Sequence, residues 1–171
     1  LHAPDEFSAA SASTAHAARL MLLLLLPVCP LALISGGEEA AQSIAWRGWE
    51  SAAFAEARAK DRPVALVIGA RWSQGELVAQ EEAFADREVA KLLSEQFVPV
   101  RVDRDRRPDV DRRYQEVAIS LGGAGGWPLL VVLTPDGDAL LAAVVSTLEE
   151  DYVRARPGWR AVLRQVAADW N

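Results

Sequence analysis

Between residues 45 and 171, short apolar runs alternate with stretches whose apolar residues recur at helical spacing. Trp46, Trp49, Ala53 and Ala57 fall in such a pattern, with Glu50, Glu56, Arg58 and Lys60 between them, which predicts a first helix. Asp61-Arg62-Pro63 ends it, because proline cannot continue a helix interior. Residues 64–68, VALVI, form an uninterrupted apolar run, the mark of a strand buried on both faces. Val89, Leu92 and Leu93 predict the next helix, with Phe97 at its end, and residues 97–102 alternate toward a second strand. Pro108 suits a first helical position, with Asp109 and Asp111 in the first turn, where carboxylates favour the helix dipole. This helix is expected to run to about Ser120. A glycine-rich loop follows at residues 121–126, then a third apolar strand at 129–133. Pro135-Asp136-Gly137 is a turn that opens a hairpin to residues 139–145. Trp159, Val162, Leu163, Val166 and Trp170 repeat with helical period to the end. The alternation predicts an α/β layered domain with a mixed sheet.

Ahead of this domain the pattern changes. Residues 20–35 carry no charge and contain five consecutive leucines, with His16 and Arg19 just before them. Pro27 and Pro30 break the segment, which falls short of the roughly 20 apolar residues a spanning helix needs. It reads as the apolar core of a secretory signal, with Ser35, Gly36 and Gly37 where cleavage would fall. An uncleaved anchor is the alternative. The boundaries are then a leader at 1–36, a polar linker at 37–44 and the folded domain at 45–171. Export implies a periplasmic or extracellular location, and membrane contact only through the leader if it is retained. Cys29, the one cysteine, lies in the leader. It reads as an inert residue in an apolar segment, with lipidation as the alternative.

Composition narrows the function classes. Of 171 residues, 51% are hydrophobic and 25% charged, which suits a folded domain rather than a disordered chain. The formal net charge of −6 argues against nucleic-acid binding, which requires a basic footprint. The two histidines, His2 and His16, also lie in the leader. No metal site or cofactor is therefore expected in the domain, and Ser73 has no histidine to serve as its base. Ser73-x-x-Glu76 has the spacing of a capping box. Glu76 with Glu81 or Glu82 would be a carboxylate pair able to do acid/base work, although glutamates on an exposed helix face are far commoner. Asp103, Asp105, Asp109 and Asp111 alternate with Arg104, Arg106, Arg107, Arg112 and Arg113, which reads as a surface ion-pair network.

The order of elements, with a loop after a buried strand and a proline opening a later one, is similar to the thioredoxin arrangement. Particular motifs narrow the likeness. Trp46-Arg47-Gly48-Trp49, Glu82-Ala83-Phe84 and the run VDRDRRPDVD at 102–111 resemble motifs of the spermatogenesis-associated protein 20 family. So do Gly125-Gly126-Trp127-Pro128-Leu129, Leu133-Thr134-Pro135-Asp136-Gly137, Arg156-Pro157-Gly158-Trp159 and Asp169-Trp170. Together they cover about residues 44–170. The resemblance implies a thioredoxin-like fold with a cis proline at Pro128, and a place N-terminal to a helical barrel of the glycosidase type. The family's C-H-W-C falls on Ser73-Gln74-Gly75-Glu76, and its two following histidines fall on Leu77 and Glu81. Dithiol exchange needs one thiolate to attack and a second thiol to resolve the mixed disulfide, so thiol–disulfide oxidoreductase activity is not expected. Three readings stay open: a non-enzymatic envelope module holding a peptide or protein partner in a groove of Trp72, Ser73, Trp127 and Pro128, one domain of a longer barrel protein, or a decayed family member with no retained activity.

Overall fold

The apolar run after Pro63 forms strand β1 (Val64–Gly69), and all six of its residues are buried. Its side chains divide by parity, as the pleat requires. Val64, Leu66 and Ile68 enter one hydrophobic cluster, and Ala65 and Val67 enter another on the opposite face. The computed structural model describes residues 43–151 and 157–170. The expectations for the leader, for Cys29 and for most of the linker lie outside the described residues.

The other strands are β2 (Val98–Asp103), β3 (Leu129–Leu133) and β4 (Ala139–Val144), in spatial order β2-β1-β3-β4. β1 runs parallel to β2 and antiparallel to β3, and β3 runs antiparallel to β4. Helices cover both faces. α1 (Ser51–Lys60) and α4 (Pro108–Ser120) contribute Ala53, Ala57, Val110, Tyr114 and Ala118 to the first cluster. α3 (Arg87–Gln96) and α5 (Trp159–Trp170) contribute Val89, Leu93, Trp159 and Leu163 to the second. Between β1 and α3 lie α2 (Gln74–Val78) and a π-helical turn (Ala79–Ala83). The fold is α/β, with a four-stranded mixed sheet.

Local chemistry sets the junctions. α1 ends at Asp61 in the left-handed region (φ 49°), where the Arg62 N–H reaches the Ala57 carbonyl at 3.0 Å. Asp86 caps α3, accepting from the Glu88 and Val89 N–H groups at 3.1 and 3.0 Å. The same carboxylate pairs with Arg160 at 2.7 Å, tying α3 to α5. Arg160 chiefly, helped by the two N–H groups, holds the Asp86 carboxyl below its ordinary range. The β3–β4 hairpin turns through Gly137 at φ 97°, a conformation glycine adopts without a steric penalty.

One expected boundary is corrected. Trp46 and Trp49 precede α1 rather than belonging to it. This segment is extended because it pairs with the free edge of β2. The Arg47 N–H donates to the Pro99 carbonyl and the Arg101 N–H to the Arg47 carbonyl, both at 2.9 Å.

Burial on both faces makes the central strand the most sensitive element. Leu66→Ala is expected to cost about 2–5 kcal/mol in urea unfolding. Leu140→Ala, at a side chain 52% exposed on β4, should cost no more than about 0.5 kcal/mol. Equal losses would refute the two-faced placement of β1.

Candidate functional site

The loop after β1 carries the positions singled out from the sequence. Ser73 occupies the N-cap of α2 with extended backbone, yet makes no side-chain capping bond. Its hydroxyl donates to the Trp127 carbonyl at 3.4 Å. Glu76 turns inward and is only 1% exposed. Its Oε1 accepts from Gln80 Nε2 at 3.1 Å and forms an ion pair with Arg101. The capping-box expectation is therefore wrong for both residues. The reason is room and charge beneath the loop. A Cβ on Gly69 would lie 2.5 Å from Glu76 Oε2, so the absent side chain makes space for the carboxylate, and Arg101 supplies the counter-charge.

Glu76 Oε2 is buried without a hydrogen-bond partner. Burial pushes the Glu76 carboxyl above its ordinary range, opposed by the Arg101 charge and by hydrogen bonds from Gln80 and Arg101. The Arg101 guanidinium is itself stacked, 5.3 Å from the Trp46 ring and 5.0 Å from Phe84. Glu81 and Glu82 are exposed on the π-helical turn, so the structure does not join them to Glu76 as an acid/base pair.

Trp72 and Trp127 do come together. Their rings meet edge-on with centroids 5.4 Å apart, and Trp72 is 62% exposed. Arg104 lies against both, its guanidinium carbon 4.6 Å from the Trp127 ring centre and 5.7 Å from that of Trp72. Trp127 is fixed from behind by Asp111, which accepts from the indole Nε1 at 2.8 Å and from Gln115 Nε2 at 3.1 Å. Gln115 in turn clamps Gly126, donating to its carbonyl at 3.1 Å and accepting from its N–H at 3.0 Å. The Trp127–Pro128 peptide is cis. Gly75 packs over it so closely that a Cβ there would lie 2.7 Å from the Trp127 carbonyl oxygen.

The expected surface network around residues 103–113 needs a second correction. Asp111 is only 6% exposed and is ion-paired to Arg104 at 3.5 Å. It positions a tryptophan instead of idling at the surface. A signal for this existed: Asp111 precedes Tyr114 by three residues and Ala118 by seven, which puts a carboxylate on the inward stripe of α4. Arg101, Arg104 and Gln115 were also missed as parts of the site.

Beside the loop opens a cleft of about 750 Å³, lined by Trp46 and Trp49, by Glu76 and Arg101, and by further charged residues. Among the described residues no group of three or more His, Cys, Asp or Glu is placed to hold a metal ion. No helix among them is long and apolar enough to cross a membrane.

Comparison with solved structures places this arrangement among the thioredoxin-like folds. A thioredoxin from Thermus thermophilus is similar with a TM-score of 0.55, covering 75% of this chain and 91% of that one at 23% identity. A DsbH oxidoreductase gives 0.54, covering 81% and 91% at 17% identity. At such identities the likeness speaks for the fold alone. The family model Thioredox_DsbH, described as a protein of unknown function (DUF255), matches residues 37–171, and the chain belongs to that family. Human spermatogenesis-associated protein 20 is 34% identical over 134 residues, 78% of this chain and 17% of the human protein. An uncharacterised protein of Caenorhabditis elegans is 31% identical over 78% of this chain and 18% of its own length. The family named from the motifs is thus correct, and the chain spans less than a fifth of the length of these relatives.

The buried carboxyl yields a pH test. A carboxyl whose folded pKa lies above its unfolded value costs stability as pH rises from the unfolded value toward and beyond the folded one. Glu76→Gln keeps the shape and removes this penalty. Relative to the wild type, the variant should gain stability as pH rises above the ordinary glutamate value of 4.5, read by chemical denaturation at each pH. A constant difference above that value would show that Glu76 has no raised pKa.

Proposed function

We propose that this domain is a redox-inactive binding module of the cell envelope, holding an extended peptide or protein segment against Trp72, Ser73, Trp127 and Pro128. The observation that carries the reading is the exposure of Trp72 edge-on to a tryptophan that Asp111 holds in place. Binding energy concentrates on such aromatic anchors, and a pre-positioned ring loses little freedom when a partner arrives. A segment lying along the head of β3 would be held by strand-type recognition. Redox inactivity follows from the residues present. Position 73 carries a hydroxyl and position 76 a carboxylate engaged by Arg101 and Gln80, and neither can form or resolve a mixed disulfide. Envelope location rests on the uncharged segment 20–35 behind Arg19.

A second reading makes the domain one part of a longer protein carrying the family's helical barrel. The 17% coverage of the human relative favours it, and the intact mass of the protein captured from its own cells decides between the two.

The groove is tested with short unstructured peptides, by following tryptophan emission. Trp72→Ala is expected to weaken binding by about 2 kcal/mol, the scale of an interface hot spot. In parallel, the wild type should not accelerate reduction of insulin by dithiothreitol. Undiminished peptide affinity in the variant would remove the groove, and insulin reduction would remove the redox-inactive reading.

A further inference from the structure

We propose that the cleft beside the loop binds a small zwitterion of the amino-acid type. Its carboxylate would meet Arg71 and Arg106, its ammonium Asp103 and Glu50, and an apolar side chain would rest on Trp46 and Trp49. Neither Trp72 nor Trp127 lines this cleft, so the inference stands apart from the groove reading above.

Place and size support a ligand site. β1 and β2 run parallel, with Gly69 opposite Asp103 at their C-terminal ends, and both residues line the cleft. The crevice outside the carboxyl ends of the strands is where open α/β sheets bind ligands. A volume of about 750 Å³ falls in the range of small-molecule pockets. Trp46 and Trp49 are half-buried and fixed by edge-on contacts, Trp46 with Phe84 at 5.3 Å and Trp49 with Phe54 and Tyr114 at 5.1 and 5.7 Å. They offer an apolar wall that is already ordered before a ligand arrives.

The charges on the lining are of both signs. Arg47, Arg101 and Arg107 are matched by Glu56, Glu76 and Asp109. Two guanidinium groups, Arg71 and Arg106, and two carboxylates, Glu50 and Asp103, remain. Among the described residues none of these four has an ion-pair partner, the other three included. Asp103 uses one oxygen to accept from the Asp105 N–H at 2.9 Å. The four are neutral in sum, yet opposite charges share one concavity without satisfying each other. A ligand of one sign would answer half of them, whereas a zwitterion answers both halves. Each arginine offers the planar fork that takes a carboxylate through two hydrogen bonds.

The wall near Asp103 favours an ammonium for a second reason. Glu76 lines the cleft, is 1% exposed, and leaves its Oε2 buried without a hydrogen-bond partner. Asp103 stands close enough for its charge to oppose ionisation of Glu76. Two carboxylates here face the single guanidinium of Arg101, and a ligand ammonium beside Asp103 supplies the second cation.

The test titrates the full chain by calorimetry in mildly acidic buffer of low salt, where α-amines are protonated. The probes are L-leucine, leucinamide, which keeps only the ammonium, and N-acetyl-leucine, which keeps only the carboxylate. L-Leucine should bind at least about tenfold more tightly than either analogue. Arg71→Gln with Arg106→Gln should lower leucine to the affinity of leucinamide. Glu50→Gln with Asp103→Asn should lower it to that of N-acetyl-leucine. Arg71, Arg106 and Glu50 are exposed, so circular dichroism should show the fold intact. Should the half-buried Asp103 position not tolerate its change, Glu50→Gln alone should weaken leucine and leave N-acetyl-leucine unaffected. Trp72→Ala should leave leucine binding as it is. Absence of leucine binding, or equal affinity for the three probes, would overturn the proposal. So would leucine binding lost in Trp72→Ala, which would move the site to the groove. Failure of peptides to bind at Trp72 would remove the groove and leave this cleft untouched.

Discussion

Strand β1 lies between β2 and β3 with helices over both faces, and this enclosure governs where chemistry can occur. No side chain along β1 faces solvent, so a charged group within it would meet a large desolvation cost. Polar residues can gather only where the strand ends. Because β1 and β2 are parallel, their C-terminal ends stand side by side, with Gly69 opposite Asp103. β3 runs the other way, so its beginning reaches the same edge, with Leu129 opposite Ile68. The loop at 70–73, the turn after β2 and the segment before β3 therefore converge, and residues far apart in sequence meet there: Trp72, Arg104 and Trp127.

Two carboxylates are buried at this corner, and they are handled differently. Asp111 spends both oxygens, Oδ1 on Trp127 and Gln115 and Oδ2 toward Arg104. These contacts hold Trp127, Gln115 and Arg104 in place, and the hydrogen bonds and the ion pair offset the desolvation of the acid. Glu76 spends Oε1 twice and Oε2 not at all. An unsatisfied buried acceptor costs about 1–3 kcal/mol, and the burial that leaves it so is what raises the carboxyl's pKa. The first acid holds Trp127 in place, whereas the second anchors Arg101 in the wall of the cleft.

The same enclosure explains which parts were legible in the sequence. Strands buried on both faces read as continuous apolar runs, so residues 64–68 and 129–133 stood out, and Pro108 marked the start of α4. The misplaced start of the first helix shows the limit of periodicity. Trp46 and Trp49 are three residues apart but pack against opposite clusters, one with Phe84 and Trp159 and the other with Phe54 and Tyr114. Helical spacing arose from two unrelated contacts in an extended segment. The inward turn of Glu76 was hidden for another reason. It depends on the missing side chain of Gly69 and on an arginine from a neighbouring strand, and neither leaves a local pattern. Asp111 was hidden by its company, since alternating acids and arginines resemble a solvated surface until the stripe through Tyr114 and Ala118 is traced.

The absence of thiols at 73 and 76 is therefore more than a deletion of chemistry from an otherwise unchanged scaffold. Glu76 is bounded by Gly69 on one side, by Gln80 one turn further along, and by Arg101 from β2, which is itself held between Trp46 and Phe84. A short neutral side chain at 76 would leave the guanidinium without its counter-charge and the space over Gly69 without its occupant. The Ser73 hydroxyl, by contrast, makes one long hydrogen bond, to the Trp127 carbonyl, whose loss would cost little. The two positions thus play unequal parts. Position 76 is committed to the interior and to the shape of the cleft, and position 73 is free to meet whatever lies along Trp127. The corner is thus asymmetric, with one side chain fixed in the interior and one held by a single weak contact.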